Sequence, residues 1–480
     1  MQPAGTQEQH RQMRTVVPTR EDPLLARFTA VVGGPLGRRT APGLIRPGAF
    51  TVDRVLIVLT TLAALLALVL KEHCRSSGWN TPDQFYATCY SDLPQLFGSR
   101  GLAGGLFPMF GSGPRFEYPV LTSFIAGFTA LLVPGSGAGA ARALDYFDVN
   151  ATLLAAAWVG AVVLTARMNR RRPWDAAMVA VAPGIILAGY INWDLWAVLA
   201  LAAALLLFAR RHAVAAGLLV GIGASLKIYP ALLLLVLLLL AVRSGRYRAF
   251  VTTAVAAAAA WLALNLPAAV SNFGAWACFY QYSAQRAAGY SSPWYAWNEV
   301  AGRMQWTALS AGTVGALAVA LFLLAFLALA VLALAAPRRP RVGQLLFLLV
   351  AAFVLVNKVY SPQYVLWLIP LFVIARPRWL EFLLWQAAEA LHWAAIWLFL
   401  GQQTSGGNLQ HNIDVPYYVL AVALHMIALM ALMGLVVRDI LHPACDVVRR
   451  QRVDDPLGGA FNRSPDSFVL HRARPADALR

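Results

Sequence analysis

Charge is scarce in this chain: Lys, Arg, Asp and Glu make up 13% of its 480 residues, 59% are hydrophobic, and the mean hydropathy is +0.60. A soluble enzyme of that length needs more charge to cover its surface, so an ordinary soluble fold is excluded and a polytopic membrane protein is implied. Lysine is nearly absent, which makes Lys71, Lys227 and Lys358 stand out among the arginines. No P-loop, dinucleotide fingerprint or metal-ligand cluster is present, so neither a cofactor nor a metal is expected. The strict alternation of a membrane β-barrel is missing too, which leaves helices as the spanning elements. Residues 1–49 are polar, Arg-rich and punctuated by Pro and Gly, with no apolar core of a cleavable signal peptide.

What the chain does have is a run of Leu/Ala/Val segments separated by short arginine clusters. The net charge of +17 and pI near 10.3 suit that pattern, because the basic residues are scattered between apolar runs and not gathered on one domain. They read as cytoplasmic anchors with some attraction to anionic lipid, and no nucleic-acid partner is expected. The spans predict an all-α polytopic membrane protein of about twelve transmembrane helices over residues 52–437. Residues 1–51 and 438–480 are then cytoplasmic, disordered tails, and the protein sits in the plasma membrane as a multi-pass chain.

The orientation follows from the basic tail before the first span, 52–70, which runs from inside to outside. The first long polar segment, 71–120, is therefore extracytoplasmic. Cys74 and Cys89 in it face an oxidising compartment, where they either close a small loop or stay as two thiols. The next apolar run, after Pro119, is short, and the cluster at Arg167 and Arg170–Arg172 demands an odd number of crossings since the outer loop. Either the run after Pro119 is re-entrant or that cluster is misplaced; the re-entrant reading puts every later basic turn inside. A second outer segment, 267–310, is rich in Trp and Tyr, as an interfacial aromatic belt or as surfaces for sugar rings and lipid chains.

Four motifs carry the chemistry. In CYSDLP, Asp92 is placed to take the proton of an acceptor hydroxyl, as sugar transfer requires. In FEYPV, Glu117 and Tyr118 precede a backbone-fixing proline, so Glu117 either shares the chemistry or anchors the segment. In ASLKIYP, Lys227 lies at the outer end of a helix beside Tyr229, where a cation breaks the positive-inside pattern and a lipid phosphate is a suitable partner. In NKVYSPQYVLW, Lys358, Tyr360, Ser361 and Gln363 form an unwound polar turn of the kind tolerated where it lines a cavity. INWDL, with Asn192 and Asp194, is similar in kind. Glu389 and His392 share a face of the penultimate span and are expected to pair within the bundle.

At these motifs the sequence resembles glycosyltransferase family 87, which includes actinobacterial polyprenol-phosphate-mannose-dependent α-1,2-mannosyltransferases. The strings YSDL with EYPVL, SLKIYP and KVYSPQYVLWL stand in the expected order. The resemblance implies a GT-C-type bundle, a polyprenyl-phosphate-sugar donor, an active site on the outer face, and an acidic residue of the first outer loop, Asp92, as catalytic base. The expected function is transfer of a sugar, by default mannose, to a cell-envelope glycolipid or glycan. Lys227 and Lys358 are the candidate phosphate ligands, and Tyr118, Asn192, Asp194, Tyr229, Tyr360, Ser361 and Gln363 the candidate substrate contacts. The alternative is a polytopic transporter or lipid-linked-sugar flippase, against which stand the long outer loops and the polar groups at the outer helix ends.

Overall fold

A computed structural model describes residues 15–33, 48, 50–104, 116–406, 413–450 and 453–470. Among the described residues every regular element is a helix. Two short helices, α1 (Pro18–Glu21) and α2 (Pro23–Gly33), precede the long apolar α3 (Val52–Val69). Thr51 starts α3 by accepting the amide of Arg54, which satisfies one of the four amides that a helix start leaves free. The first polar loop then folds into α4 (Glu72–Ser77), α5 (Asp83–Tyr86) and α6 (Asp92–Ser99). After it come α7 (Val120–Leu131) and the 29-residue α8 (Ala140–Met168).

Helices α3 and α8 run antiparallel. Arg167, near the end of α8, pairs with Asp53 at the start of α3 at 3.0 Å, while Arg75, just past α3, pairs with Asp148 near the start of α8 at 2.8 Å. No crossing therefore separates them, and α7 does not traverse the bundle. Its 12 residues, about 18 Å of helix, are also too short for a hydrocarbon core of about 30 Å. The re-entrant reading thus agrees with the geometry. The polar DYFDVN stretch is helical and lies within α8.

The middle of the chain is built from short pieces. Helices α9 (Ala177–Ala180) and α10 (Pro183–Ala188) are split at Pro183, because Ala182 before the proline is extended. They are followed by α11 (Asp194–Ala209), α12 (Ala213–Leu226), α13 (Leu232–Ser244) and α14 (Tyr247–Ser271). Helix α14 continues through Pro267, so the second outer segment begins later than expected and holds two helices, α15 (Phe273–Gln285) and α16 (Pro293–Arg303). The chain ends with α17 (Ala311–Ala335), α18 (Val342–Val356), α19 (Val365–Ala375), α20 (Trp379–Thr404) and α21 (Val415–Leu441).

Six of these helices, α3, α8, α14, α17, α20 and α21, are long and apolar enough to cross a membrane alone. The shorter α11, α12, α13, α18 and α19 have 11 to 16 residues, at most about 24 Å of helix, and stop short of a full crossing. Their polar junctions, at 189–193, Lys227 and 357–364, are where the site residues sit. Helix α12 lies tightly on α14: a Cβ on Gly217 would run into the carbonyl of Thr253, and one on Gly221 into that of Ala257. This small-residue spacing lets the two backbones touch and fixes where α12 delivers Lys227.

Both tails differ from expectation over their described parts. Asp22 accepts the amide of Trp379 at 3.1 Å, and the amide of Val16 donates to Arg171 at 2.7 Å, so residues 15–33 are docked on the ends of α8 and α20. Residues 443–450 and 453–470 are likewise ordered. Buried Arg341 grips Asp446 at 2.7 Å, Arg243 grips Asp466 at 2.9 Å, and Phe461 packs on Phe208. The arginines that punctuate the spans thus find their acids in the tail, which is what orders it.

Candidate active site

The first polar loop is fastened before it reaches its carboxylate. Cys74 and Cys89 form a disulfide, which settles the choice left open by the sequence. Buried Lys71 donates to the carbonyl of Tyr90 at 2.8 Å, and Trp79 Nε1 donates to that of Cys89 at 3.2 Å. Loss of water around Lys71 pulls its ammonium pKa down to about 7. Replacing Cys74 and Cys89 with serine should cost about 3 kcal/mol by the chain-entropy estimate for a loop of this size, read as a lower thermal midpoint. Blocking of two new thiols after reduction of the native protein, by mass, checks the bond itself.

Asp92 opens α6, with Ser91 as its cap. The Ser91 hydroxyl lies 2.8 Å from the Tyr190 carbonyl, and the Asp92 amide donates to Ile191 at 2.8 Å. The loop is thereby pinned to the INWDL turn, 100 residues on, and Asp92 meets Asn192. Tyr90 donates to Asp92 Oδ1 at 2.6 Å, Tyr118 to Oδ2 at 2.9 Å, and the Asn192 amide lies 3.5 Å from Oδ2. Desolvation raises the Asp92 pKa above the usual aspartate value, opposed by the two tyrosine hydrogen bonds and the charge of Lys227. The two phenols fix this carboxylate in place and burial raises its basicity, which together suit a general base.

Lys227 reaches the same point from α12. Its Nζ lies 2.9 Å from Asp194 Oδ1 and 4.6 Å from the centre of the Tyr118 ring, so one ring touches both the carboxylate of Asp92 and the ammonium of Lys227. Asn192 Oδ1 caps the amide of Asp194 at 3.0 Å. Five expected residues, Asp92, Tyr118, Asn192, Asp194 and Lys227, are thus gathered into one cluster.

Other candidates sit around it. Glu117 is held by Arg100 through two hydrogen bonds of 2.6 and 2.7 Å. Tyr229 is buried in a stack with Trp367, which stacks in turn on Tyr364 at 3.9 Å. Tyr360 turns into the bundle toward Glu389, at 3.4 Å, and Gln363 is buried in the turn that follows Ser361. Lys358 donates to the carbonyl of Ala284 at the end of α15, at 2.8 Å.

Four residues that matter here were not among those candidates: Lys71, Tyr90, Tyr364 and Arg286. The CYSDL string already showed Tyr90 two residues before Asp92, and lysine scarcity had marked Lys71. Arg286 carried no such mark. Its charge reaches Tyr364, which also feels Lys227, and it reaches Lys358.

Glu389, His392 and His425 place ligand atoms within 4.8 Å of one another. The two imidazoles stack face to face at 3.9 Å and 8°, so their in-plane lone pairs run parallel and do not converge on one ion. Trp385 donates to Glu389 at 2.8 Å, and the group packs as a polar plug behind Tyr360.

Beside the polar cluster an apolar cavity of about 520 Å³ runs between α12 and α14. Pro119 and Ile228, neighbours of Tyr118 and Lys227, form one end of it, and Ala257, Trp261 and Leu262 line its length.

The family model of glycosyltransferase family 87 matches residues 116–357, half of the chain. The chain belongs to glycosyltransferase family 87. Family membership decides for a membrane glycosyltransferase over the transport alternative. The matched region contains Tyr118, Asn192, Asp194 and Lys227 but begins after Asp92, so the case for Asp92 is geometric. Among solved structures, the crystal structure of ArnT from Cupriavidus metallidurans bound to undecaprenyl phosphate is similar at 14% identity and a TM-score of 0.41, over 81% of this chain and 78% of that one. No curated protein matches the chain.

Proposed function

We propose that this family 87 enzyme moves a hexose, by default mannose, from a polyprenyl-phosphate donor to a hydroxyl of an envelope glycolipid or glycan on the extracytoplasmic face. The observation that carries the reading is Tyr118, whose ring faces the ammonium of Lys227 while its hydroxyl holds Asp92. A base and a cation on two sides of one ring are what a single displacement at a sugar phosphate needs.

In this reading the acceptor hydroxyl gives its proton to Asp92 as its oxygen bonds to the anomeric carbon, and the bond from that carbon to the phosphate oxygen breaks. Lys227 takes up the charge left on the polyprenyl phosphate, and Arg286 at the end of α15 and Lys358 in the 357–364 turn add theirs. The apolar cavity beside Ile228 accommodates the prenyl chain. A monophosphate carries less charge than a nucleoside diphosphate, and three cationic side chains answer it.

The test is transfer of labelled mannose from polyprenyl phosphate mannose to a glycolipid acceptor by the purified chain in vesicles, with EDTA present. Label should reach the acceptor, and kcat/KM should fall as pH drops through the raised pKa of Asp92. The acid limb then lies above the ordinary aspartate value of about 3.9. No transfer with any polyprenyl-phosphate sugar would overturn the donor class, and an acid limb at or below about 3.9 would remove Asp92 as the titrating base.

A further inference from the structure

The end of the bundle opposite Asp92 holds a second cavity, larger than the first, of about 850 Å³. Arg211, Arg246, Arg248 and Arg463 line it, and Val214 and Leu218 form its apolar wall. Several arginines at this end are matched to acids. Arg167 pairs with Asp53, Arg172 with Asp175, Arg243 with Asp466, Arg338 with Asp454, Arg341 with Asp446 and Arg376 with Asp439. Among the described residues the guanidinium groups of these four have no acidic partner, although the Arg463 amide donates to Asp454 at 2.9 Å and Asp466 lies in the same tail segment. General positive-inside placement accounts for basic residues at this end, but not for unmatched ones collecting at one cavity.

Two further features point to an anion. The first turns of α12 and α14, at Ala213–Ala215 and at Arg248–Ala249, both line the cavity. Neither has a side-chain cap, so amide donors and the positive ends of two helix dipoles face the same space as the guanidinium groups. The wall below is apolar and open: Val214 is 56% exposed and Leu218 41%, with Val251 and Val255 exposed on the adjoining α14. A free anion makes no use of such a wall, whereas a phospholipid fills it with an acyl chain. We propose that this cavity is a binding site for an anionic phospholipid, with the headgroup phosphate among Arg211, Arg246, Arg248 and Arg463 and a chain along Val214 and Leu218.

The site is separate from the donor site. Lys227 follows the other end of α12, about 21 Å of helix away. The lipid would bridge α12, α14 and the docked C-terminal segment and offset the four like charges gathered among them.

Native mass spectrometry of the full chain in neutral detergent tests the proposal, with added phosphatidylglycerol or cardiolipin, phosphatidylcholine, or inorganic phosphate. The wild type should hold anionic-lipid adducts at least ten-fold more than phosphatidylcholine adducts, and inorganic phosphate should not displace them. Arg246→Gln/Arg248→Gln/Arg463→Gln should lower adduct occupancy about ten-fold. Arg20→Gln/Arg27→Gln/Arg170→Gln, which removes equal charge at the same end, should leave it unchanged. Should the first triple variant fail to fold, Arg248→Gln alone should lower occupancy about three-fold. Equal loss in both triple variants would reduce the effect to unspecific surface attraction and overturn the site. Displacement by inorganic phosphate would overturn the lipid assignment, and so would adducts that do not distinguish phosphatidylcholine.

Discussion

Asp92→Asn is expected to lower sugar transfer by about 10³-fold, in the range that removal of a positioned general base costs, while the protein still folds. The amide is isosteric, and its oxygen can still accept from one of the two phenols that hold the carboxylate, Tyr90 and Tyr118. Burial disfavours the ionised Asp92, so a neutral side chain there should leave the thermal midpoint unchanged or raise it. Glu117→Gln separates the two carboxylates of the loop. Glu117 is bound by Arg100 at 2.6 Å, so its amide variant should lose stability through a weakened pair, with transfer reduced less than ten-fold. Transfer rates and melting curves on both variants decide the matter: Asp92→Asn with a rate within ten-fold of wild type removes the base, and a larger loss in Glu117→Gln moves the role to Glu117.

The helical class, the first span and the polar junctions were legible because each has a one-dimensional signature. Apolar length marks a span, and an isolated charge such as Lys227 between two apolar runs marks a break lined by protein. Gathering Asp92 with Asn192 was not legible, since it depends on the Asp92 amide meeting the Ile191 carbonyl across 99 residues. Nothing in local periodicity records such a meeting.

The docked tail escaped for a related reason. Its apolar residues Val447, Leu457 and Phe461 are isolated and follow no helical period, so they signalled no element. Its acids, Asp446, Asp455 and Asp466, become structural only beside Arg341, the amide of Val342 and Arg243. The same long-range pairing hid the second cavity, whose arginines looked in sequence like any other topological anchors.

Lys227→Met should have the other large effect, on folding as well as on transfer. Asp194 is fully buried and Lys227 is its ion-pair partner, so removing the lysine strands a carboxylate inside the bundle at a cost of about 3–5 kcal/mol. Low yield and a melting temperature several degrees lower are the expected result, and loss of transfer in that single variant would say little about chemistry. The double variant Lys227→Met/Asp194→Asn resolves this, because removing both charges of a buried pair is close to neutral for stability. It should recover most of the yield and the thermal midpoint while staying at least 10²-fold below wild type in transfer, since the leaving phosphate still lacks its cation. Asp194→Asn alone frees a lysine that is already 14% exposed and faces the Tyr118 ring, so it should be the mildest of the three in stability. A double variant that folds and transfers like the wild type would reduce Lys227 to a counter-ion for Asp194 and leave the donor phosphate to Arg286 and Lys358.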